Sequence, residues 1–367
     1  MWHIAGNLVM IGVGLLLVYL AVAKRYEPLL LLPIGFGAVL ANIPYAGLAD
    51  AGGILHLLRI YGIETELLPA LLFIGIGAMC DFSSLIRRPV LLVFAAAGQL
   101  GIFVTLNLAL ALGFAPLDAS SISIIGAMDG PTAIFVTQRF APHLLGPVTV
   151  CAYSYMSLVP LLQIPLSRLL TTSRERRVRM DPPSAELPGP VKVIFPVVVF
   201  LASSLLAPQG ATLMGFLMLG NLMRESGVVR RLSETAEREL ANIVTLLLGL
   251  SIGGTMRAEA FLNPTTLIIF ALGLVAFVSA LSIGLLFAKA ACALTGGRIN
   301  PLIGACGVSA FPMAARTAHL IGREEDPDNW LLPQALATNV GAQIASVAAG
   351  SAILTYAPIL LKTLTGI

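Results

Sequence analysis

The sequence predicts an all-α integral membrane protein. It is expected to consist of two inverted repeats of transmembrane helices, with broken or re-entrant helices that meet near the bilayer midplane. Three observations support this prediction: the composition, a weak internal repeat, and one carboxylate inside an apolar segment. Of the 367 residues, 57% are hydrophobic and 11% are charged, and the mean hydropathy is +0.91. Soluble chains of this size do not have such a composition, whereas multi-pass membrane proteins do.

Several uncharged runs are long enough to cross about 30 Å of hydrocarbon. They are residues 5–23, 90–113, 193–223, 260–288 and 331–361. The last three are too long for one straight span, so we expect hairpins or broken helices there. The first run is too long for a cleaved signal peptide and is interpreted as a span of the mature protein.

Cysteines, histidines and net charge indicate little further chemistry. The four cysteines and four histidines are scattered singly along the chain, so we expect no disulfide framework and no transition-metal site. The net charge is +3, its charges lie in loops, and we expect a lipid bilayer but no nucleic acid as a partner.

The second half of the chain repeats the first at an offset of about 180 residues. Gly35-Phe36 and Asn42 match Gly215-Phe216 and Asn221, and Ile125-Gly126-Ala127 matches Ile303-Gly304-Ala305. These matches predict a first membrane repeat at 1–172, a basic cytoplasmic linker at 173–190 and a second membrane repeat at 191–367. Chance coincidence in Gly- and Ala-rich apolar sequence is the alternative.

Basic loops predict the orientation of the chain. Lys24-Arg25, Arg87-Arg88, the arginines of 168–179, and Arg224 with Arg230-Arg231 should all be cytoplasmic. Three apolar segments lie between Arg88 and Arg168, which is the wrong parity for two cytoplasmic loops. The parity is restored if the segment around residue 129 enters the membrane and returns to the same side. Each repeat then crosses an odd number of times, which makes the repeats inverted, a recurring plan of secondary transporters.

Asp129 is the first candidate site residue. It is the only charge between Ala119 and Thr137, and a carboxylate at that depth costs a few kcal/mol, so it indicates function. Gly130 and Pro131 should break a helix here and free backbone groups beside Thr132. A carboxylate next to unwound backbone suits a hard cation such as Na⁺. The alternative is a Pro-kinked helix with a protonated, hydrogen-bonded Asp129.

Five further polar residues interrupt apolar sequence. Asn300 and Ser309 offer neutral oxygens next to Pro and Gly, and Asn339, beside Gly341, predicts another break in the last run. Arg316 could pair with Asp129 or with an arriving carboxylate, or it could be a loop residue. Tyr155 could be an interfacial anchor, and Asn339 could simply bond a neighbouring helix.

The longer motifs resemble the β-subunits of the sodium-translocating, biotin-dependent decarboxylases, which act on oxaloacetate, methylmalonyl-CoA, glutaconyl-CoA or malonate. The resemblance runs from about Leu67 to the C-terminus. It rests on these segments: Asp129-Gly-Pro-Thr, Ala152-Tyr-Ser-Tyr-Met-Ser-Leu-Val-Pro-Leu-Leu-Gln163, Gly220-Asn-Leu-Met-Arg-Glu-Ser-Gly-Val228, Asn300-Pro-Leu-Ile-Gly and Gly307-Val-Ser-Ala-Phe-Pro-Met-Ala-Ala-Arg316.

This resemblance implies a translocating enzyme that decarboxylates carboxybiotin delivered by a partner subunit, exports Na⁺ and consumes H⁺. It implies catalytic roles for Asp129, Tyr155 and Arg316, and Na⁺ ligands at Asp129, Asn300, Ser309 and Asn339. The implied partners are carboxyltransferase and biotin-carrier subunits and a small membrane subunit of the γ/δ type, in an oligomer. The implied location is the cytoplasmic (inner) membrane of a bacterium or archaeon.

Two departures from the family pattern concern the site. Met128 stands where a small residue usually precedes the Asp, and Thr338 stands where Pro usually precedes Asn339, with Gln343 following. The ion preference and the number of Na⁺ per turnover therefore stay open.

A stand-alone secondary transporter is the alternative function, either a Na⁺-coupled anion symporter or a Na⁺/H⁺ antiporter. It would share the repeats and broken helices but would need no biotin. The chain has only Lys24, Lys192, Lys289 and Lys362, none in a Met-Lys-Met-like biotin-attachment context. The sequence does not say which acid would feed the complex.

Overall fold

The computed structural model describes residues 2–25, 28–180 and 187–365, and every regular element within them is helical. The all-α class predicted from composition is confirmed. Five helices in this part of the chain are long and apolar enough to cross a membrane, and two bent pairs bring the number of possible spans to seven.

The described part of the first half contains twelve α-helices, joined by short 3₁₀ and π segments. They are α1 (Trp2–Ala23), α2 (Pro28–Ala41), α3 (Ile54–Leu58), α4 (Leu67–Met79), α5 (Ser83–Arg87), α6 (Leu91–Gly98), α7 (Leu100–Ala111), α8 (Pro116–Ser123), α9 (Gly130–Phe140), α10 (Leu145–Ser157), α11 (Val159–Leu170) and α12 (Ser173–Arg176).

The described part of the second half contains eight α-helices. They are α13 (Gly189–Leu206), α14 (Ala211–Ser226), α15 (Arg230–Thr235), α16 (Ala241–Thr255), α17 (Ala258–Phe261), α18 (Pro264–Leu294), α19 (Met313–Glu325) and α20 (Leu332–Thr365).

The three long apolar runs behave differently from one another. Residues 193–223 form the expected hairpin, α13 and α14, around the 3₁₀ turn Pro208–Gly210. The expectation of a hairpin or break is wrong for the other two, because α18 has 31 residues and α20 has 34, each in one helix. The break predicted beside Asn339 is therefore absent. Thr338 keeps a backbone N–H that Pro would lack, and its hydroxyl donates to the carbonyl of Gln334.

Helices of the two halves pack reciprocally. The side chain of Asn42, just after α2, donates to the carbonyl of Met256, just after α16, at 2.7 Å. The side chain of Asn221, in α14, donates to the carbonyl of Cys80, just after α4, at 2.8 Å. Asn42 and Asn221 thus each form a hydrogen bond between the two halves of the chain.

Two helical hairpins lie between the long helices. In the first hairpin (residues 116–140) the open end is closed by Asp118 and His143, 3.5 Å apart. In the second hairpin (residues 301–325) the open end is held by Asn300 and Asn329, which both donate to the carbonyl of Arg176. His143 precedes α10, whereas Arg176 follows α11. The two hairpins therefore open at opposite ends of the α10–α11 pair.

The basic segment after α11 is attached to the second hairpin. Arg176 forms a charge-assisted contact with Glu325, and Arg179 pairs with Asp326 at 2.7 Å. Gln334 adds a hydrogen bond to the carbonyl of Met180. Residues 181–186 of the predicted linker lie outside the described residues.

Candidate functional site

The first helix break lies at the tip of the first hairpin. A 3₁₀ turn ends at Ala127, and Met128 takes a left-handed conformation (φ 54°) before α9 begins at Gly130. Asp129 is extended and caps α9, accepting a hydrogen bond from the backbone of Thr132. Pro131, in the first turn of α9, needs no backbone donor there. A break was predicted at Gly130-Pro131, and the structure has it immediately before them, at Met128 and Asp129. Asp129 thus sits at the positive end of the α9 dipole.

The carboxylate of Asp129 is buried and held by neutral donors. The side chain is 3% exposed. Its Oδ2 accepts hydrogen bonds from Thr132 Oγ1 at 2.8 Å and from Ser346 Oγ at 2.6 Å, and Oδ1 accepts from the Thr132 amide at 3.3 Å. Among the described residues no cationic side chain pairs with it. A buried carboxylate without a counter-ion favours binding of either a proton or a metal cation.

In the second break, residues 307–312, three consecutive backbone carbonyls accept hydrogen bonds from side-chain amides. Gln99 Nε2 donates to Gly307 O at 3.0 Å, Asn339 Nδ2 to Val308 O at 2.6 Å, and Gln343 Nε2 to Ser309 O at 2.5 Å. These bonds replace the helical hydrogen bonds that the break removes. The segment therefore stays unwound and yet ordered.

The two breaks touch each other. The backbone amide of Ser309 donates to the carbonyl of Ala127 at 3.3 Å. The hydroxyl of Ser309 donates to the carbonyl of Ala342 in α20 at 2.8 Å, so its lone pairs stay free to accept. Ser309 thus links the first break, the second break and α20.

A cavity of about 150 Å³ lies beside the contact between the breaks. Its polar lining comes from Asp129, Tyr153, Thr245, Ser309 and Gln343. Its remaining lining is mostly apolar and extends to Met79 at the end of α4. This volume accommodates one cation with a few waters.

Most of the predicted site residues lie at these breaks. Asp129, Gly130 and Pro131 line the cavity together with Ser309, and Thr132 bonds the carboxylate directly. Asn339 lies at the second break, where its amide bonds backbone carbonyls. Asn339 Oδ1 is buried and has no hydrogen-bond partner among the described residues.

Asn300 occupies a different place. Its amide donates to the carbonyls of Arg176 and Val178, and its Oδ1 accepts from the amide of Leu302. It therefore holds the linker and caps the 3₁₀ helix Pro301–Cys306, at the open end of the second hairpin. Asn300 was expected to share a site with Asp129, but the structure does not bring these two residues together.

Arg316 and Tyr155 are not bonded to the carboxylate of Asp129. Arg316 is exposed on α19 and is not among the groups that bond Asp129, so the suggested ion pair between them is absent. The hydroxyl of Tyr155 donates to the carbonyl of Phe270 in α18 at 2.8 Å. The tyrosine that lines the cavity is Tyr153, two residues earlier in α10.

Sequence reasoning missed several residues of the site. Gln99, Tyr153 and Ser346 were not predicted, and Gln343 was noted only as a departure from the family pattern. A signal was present for two of them, since residues 339, 343 and 346 follow the i, i+4, i+7 spacing of one helix face. A polar stripe on an otherwise apolar helix indicates a buried polar contact.

The fold and the site together define a class of protein. It is a polytopic membrane protein in which two broken hairpins meet at a buried carboxylate, the arrangement of ion-translocating proteins. The family model described as the Na⁺-transporting oxaloacetate decarboxylase beta subunit matches residues 6–357. The chain belongs to this family.

Relatives named for different acids match the chain almost equally well. The glutaconyl-CoA decarboxylase subunit beta of Acidaminococcus fermentans is 49% identical over 350 residues, covering 94% of this chain and 92% of its own length. The methylmalonyl-CoA decarboxylase subunit beta of Veillonella parvula is 48% identical, with 94% and 92% covered. The oxaloacetate decarboxylase beta chain 2 of Salmonella typhi is 42% identical, with 96% and 95% covered. These matches favour a decarboxylase subunit over a stand-alone transporter.

Proposed function

We propose that this chain is the membrane subunit of a sodium-pumping decarboxylase, which decarboxylates carboxybiotin delivered by a partner and exports Na⁺. The observation that carries the proposal is Asp129, a buried carboxylate with neutral partners at the contact of two helix breaks, in a chain of this family. Asp129 and Ser309 both line a cavity large enough for a cation.

Competition between Na⁺ and H⁺ for Asp129 supplies the coupling. Release of CO₂ from carboxybiotin breaks its N–C bond and takes up one proton at the biotin nitrogen. A group that holds either Na⁺ or H⁺ can link this proton demand to ion movement, because both ions bind the same oxygens. Asp129 is the buried carboxylate of the site, and Thr132 and Ser346 keep it oriented in either state.

Arg316 has a separate role toward the carboxyl group. Its guanidinium is exposed on α19, one turn after the second break. An exposed guanidinium is permanently charged and can form two parallel hydrogen bonds, so it suits a carboxylate that arrives from outside the protein. Arg316 would hold the carboxyl of carboxybiotin, while Asn339 keeps the second break in shape.

The two halves are proposed to be inverted repeats across the membrane. The reciprocal bonds of Asn42 and Asn221 and the opposite openings of the two hairpins support this arrangement. The linker end of α11 would face the cytoplasm, as the positive-inside rule predicts. Labelling of introduced cysteines should find Arg88 and Arg176 on the same face of the membrane. Labelling on opposite faces would contradict the topology.

The biotin is expected on a different polypeptide. Lys289 is engaged with the carbonyl of Leu170 at 2.8 Å, and the setting of Lys24, Lys192 and Lys362 does not resemble an attachment site. The partners would be a biotin carrier, a carboxyltransferase and a small membrane subunit, assembled as an oligomer in the cytoplasmic membrane. The relatives carry three different acids in their names, so the carboxyltransferase would select the acid.

Purification of the tagged chain from its native membrane tests the proposal. A biotinylated protein should co-purify, detected by streptavidin blot, and the reconstituted complex should accumulate ²²Na⁺ in proteoliposomes only while it decarboxylates its acid. Avidin should block this uptake. Sodium transport by the purified chain alone, unaffected by avidin, would instead support the stand-alone transporter.

A further inference from the structure

Helices α10 and α16 run side by side between two separate cavities. Tyr153 of α10 and Thr245 of α16 line the cavity beside Asp129. Gly146 of α10 and Thr255 of α16 line a second cavity, of about 410 Å³. At that end the helices touch, because a Cβ added to Gly146 would lie 2.9 Å from Thr255 Oγ1. The two helices are therefore antiparallel, and their interface connects the two cavities.

The second cavity lies at the end of α10 opposite the linker. His143 lines it and belongs to the open end of the first hairpin, whereas the linker follows α11. Asp50 and Arg257, which pair at 2.8 Å, also line it. Asp50 and His143 are both exposed. This cavity, called the outer cavity below, is therefore accessible to water from the face opposite the linker.

Two small hydroxyl residues, Thr149 and Ser251, lie between the cavities. Thr149 is three residues from Gly146 and four from Tyr153, so it shares the face of α10 that carries both. Ser251 is four residues before Thr255 and shares its face of α16. Because the helices are antiparallel, both hydroxyls lie about one turn inward from the contact of Gly146 with Thr255. Thr149 is 1% exposed and Ser251 is 0% exposed.

Both hydroxyls are buried without a hydrogen-bond partner among the described residues. A serine or threonine inside a helix can donate to the carbonyl four residues earlier, as Thr105 does to Gly101 O at 3.0 Å. Thr149 and Ser251 do not use this partner. Burial of an unpaired hydroxyl is unfavourable, so valine and alanine would pack here at a lower free-energy cost. The two oxygens therefore indicate a polar species that passes between α10 and α16.

We infer that the interface between α10 and α16 is the route by which the cation leaves Asp129 for the outer cavity, with contacts to the oxygens of Thr149 and Ser251. Neutral hydroxyls replace part of the hydration shell of a monovalent cation without holding it firmly, as passage requires. Val150 of α10 and Leu248 of α16 belong to one buried apolar cluster. The route is therefore closed in this structure, and the two helices must separate for an ion to pass. The inference rests on the proposed function, in which Asp129 binds Na⁺.

Removal of the two hydroxyls tests the route. In the complex reconstituted in proteoliposomes, Thr149→Val and Ser251→Ala should each lower the rate of ²²Na⁺ transport by about tenfold or more, the scale of a lost contact to a charged group. Equilibrium binding of ²²Na⁺ to the purified chain should stay within about twofold of the wild type, because the Asp129 site is unchanged. The unfolding temperature should equal or exceed that of the wild type, because an unpaired hydroxyl is gone.

Two further variants control for the loss of a hydroxyl as such. Thr149→Ser keeps the oxygen and should transport Na⁺ at the wild-type rate. Thr105→Val removes a buried threonine hydroxyl from α7, away from the interface of α10 with α16. It should leave the transport rate unchanged.

Thiol accessibility tests the direction of the route. Ag⁺, a monovalent cation of about the size of Na⁺, should react with Thr149→Cys and Ser251→Cys when it is added at the face opposite the linker during turnover. The natural Cys151 is the control within α10, because it is buried with its Sγ 3.7 Å from the carbonyl of Ile269 in α18. It should stay unmodified. Mass spectrometry reads the blocked thiols after the remaining ones are labelled in the unfolded protein.

The outcomes separate this inference from the proposed function. Wild-type transport in Thr149→Val, Ser251→Ala and the double variant, with loss of Na⁺ binding in Asp129→Asn, would overturn the route and keep the Asp129 site. Slower transport together with weaker Na⁺ binding or a lower unfolding temperature would also overturn the route. Reaction of the introduced cysteines only from the linker face, or from neither face, would do the same. Wild-type Na⁺ binding in Asp129→Asn would overturn both the proposed function and the inference.

Discussion

The hydroxyl of Ser346 donates a hydrogen bond to Asp129 Oδ2 at 2.6 Å, joining residues 217 positions apart in the chain. Through this bond α20 holds the carboxylate at the tip of the first hairpin. The same helix reaches the second break through Asn339 and Gln343. One helix therefore contacts both breaks, and a shift of α20 would change both at once.

Asp129→Asn should abolish Na⁺-dependent decarboxylation and leave the protein folded. Asn caps a helix about as well as Asp, so α9 should keep its start, while the charge that holds Na⁺ is lost. Decarboxylation should be measured against Na⁺ concentration in the purified complex. Asp118→Asn is the matched control, because it removes a carboxylate from the same hairpin at the ion pair with His143. Normal pumping by Asp129→Asn would make Asp129 a structural residue.

Asn339→Ala and Arg316→Ala should respond differently to Na⁺. Loss of Asn339 leaves the carbonyl of Val308 uncapped and should raise the Na⁺ concentration needed, so that high Na⁺ restores part of the rate. Loss of Arg316 should lower the maximal rate by about tenfold or more, on the scale of roughly 1.5–3 kcal/mol for a charged hydrogen bond. High Na⁺ should not restore it. Equal rescue of both variants would contradict separate sites for the cation and the carboxylate.

Two glycines at the reciprocal α4–α14 contact should not tolerate a side chain. A Cβ at Gly77 would lie 1.9 Å from Leu217 O, and one at Gly220 would lie 2.0 Å from Ile74 O. Either Gly→Ala change should lower the free energy of unfolding by about 1–3 kcal/mol through overpacking. Gly12→Ala in α1 is the control, because nothing lies within 4 Å of its added Cβ. Thermal unfolding in detergent measures the difference, and equal stability of all three variants would refute the contact.

The attachment of the linker should weaken in acid. Hydrogen bonds from Ser173 and Arg176 hold the pKa of Glu325 below its usual range. A lowered pKa stabilises the folded state above the unfolded value of about 4.3, and this contribution is lost as pH falls through the lower folded pKa. Limited proteolysis after Arg177 should therefore accelerate only below about pH 4.

Substitution separates this contact from general acid effects. Glu325→Gln should make cleavage after Arg177 fast at neutral pH, since a partly buried charged contact is worth about 1.5–3 kcal/mol. Glu324→Gln should have little effect, because the pair of Glu324 with Arg168 is exposed on both sides and such pairs contribute about 0–1 kcal/mol. Equal cleavage of the two variants would show that Glu325 does not hold the linker.

The sequence by itself determined the class of the protein and the position of the first break. Composition and span length are properties of the chain alone, because the bilayer core accepts only long apolar helices. Asp129 and Gly130-Pro131 could also be identified from the sequence, since a charge in an apolar segment and a Gly-Pro interruption act locally. The sequence also matched Asn42 with Asn221, as part of the predicted repeat.

Only the tertiary structure decided which side chains meet Asp129. Ser346 and Gln99 reach the breaks from distant helices, and no local pattern connects them to residue 129. Tyr153 and Tyr155 are chemically identical and two residues apart, so the packing of α10 against α18 chooses the one that faces the cavity. Asn300 bonds the linker because the fold brings the carbonyls of Arg176 and Val178 within about 3 Å of its amide. The order of residues along the chain does not reveal which backbone groups come this close.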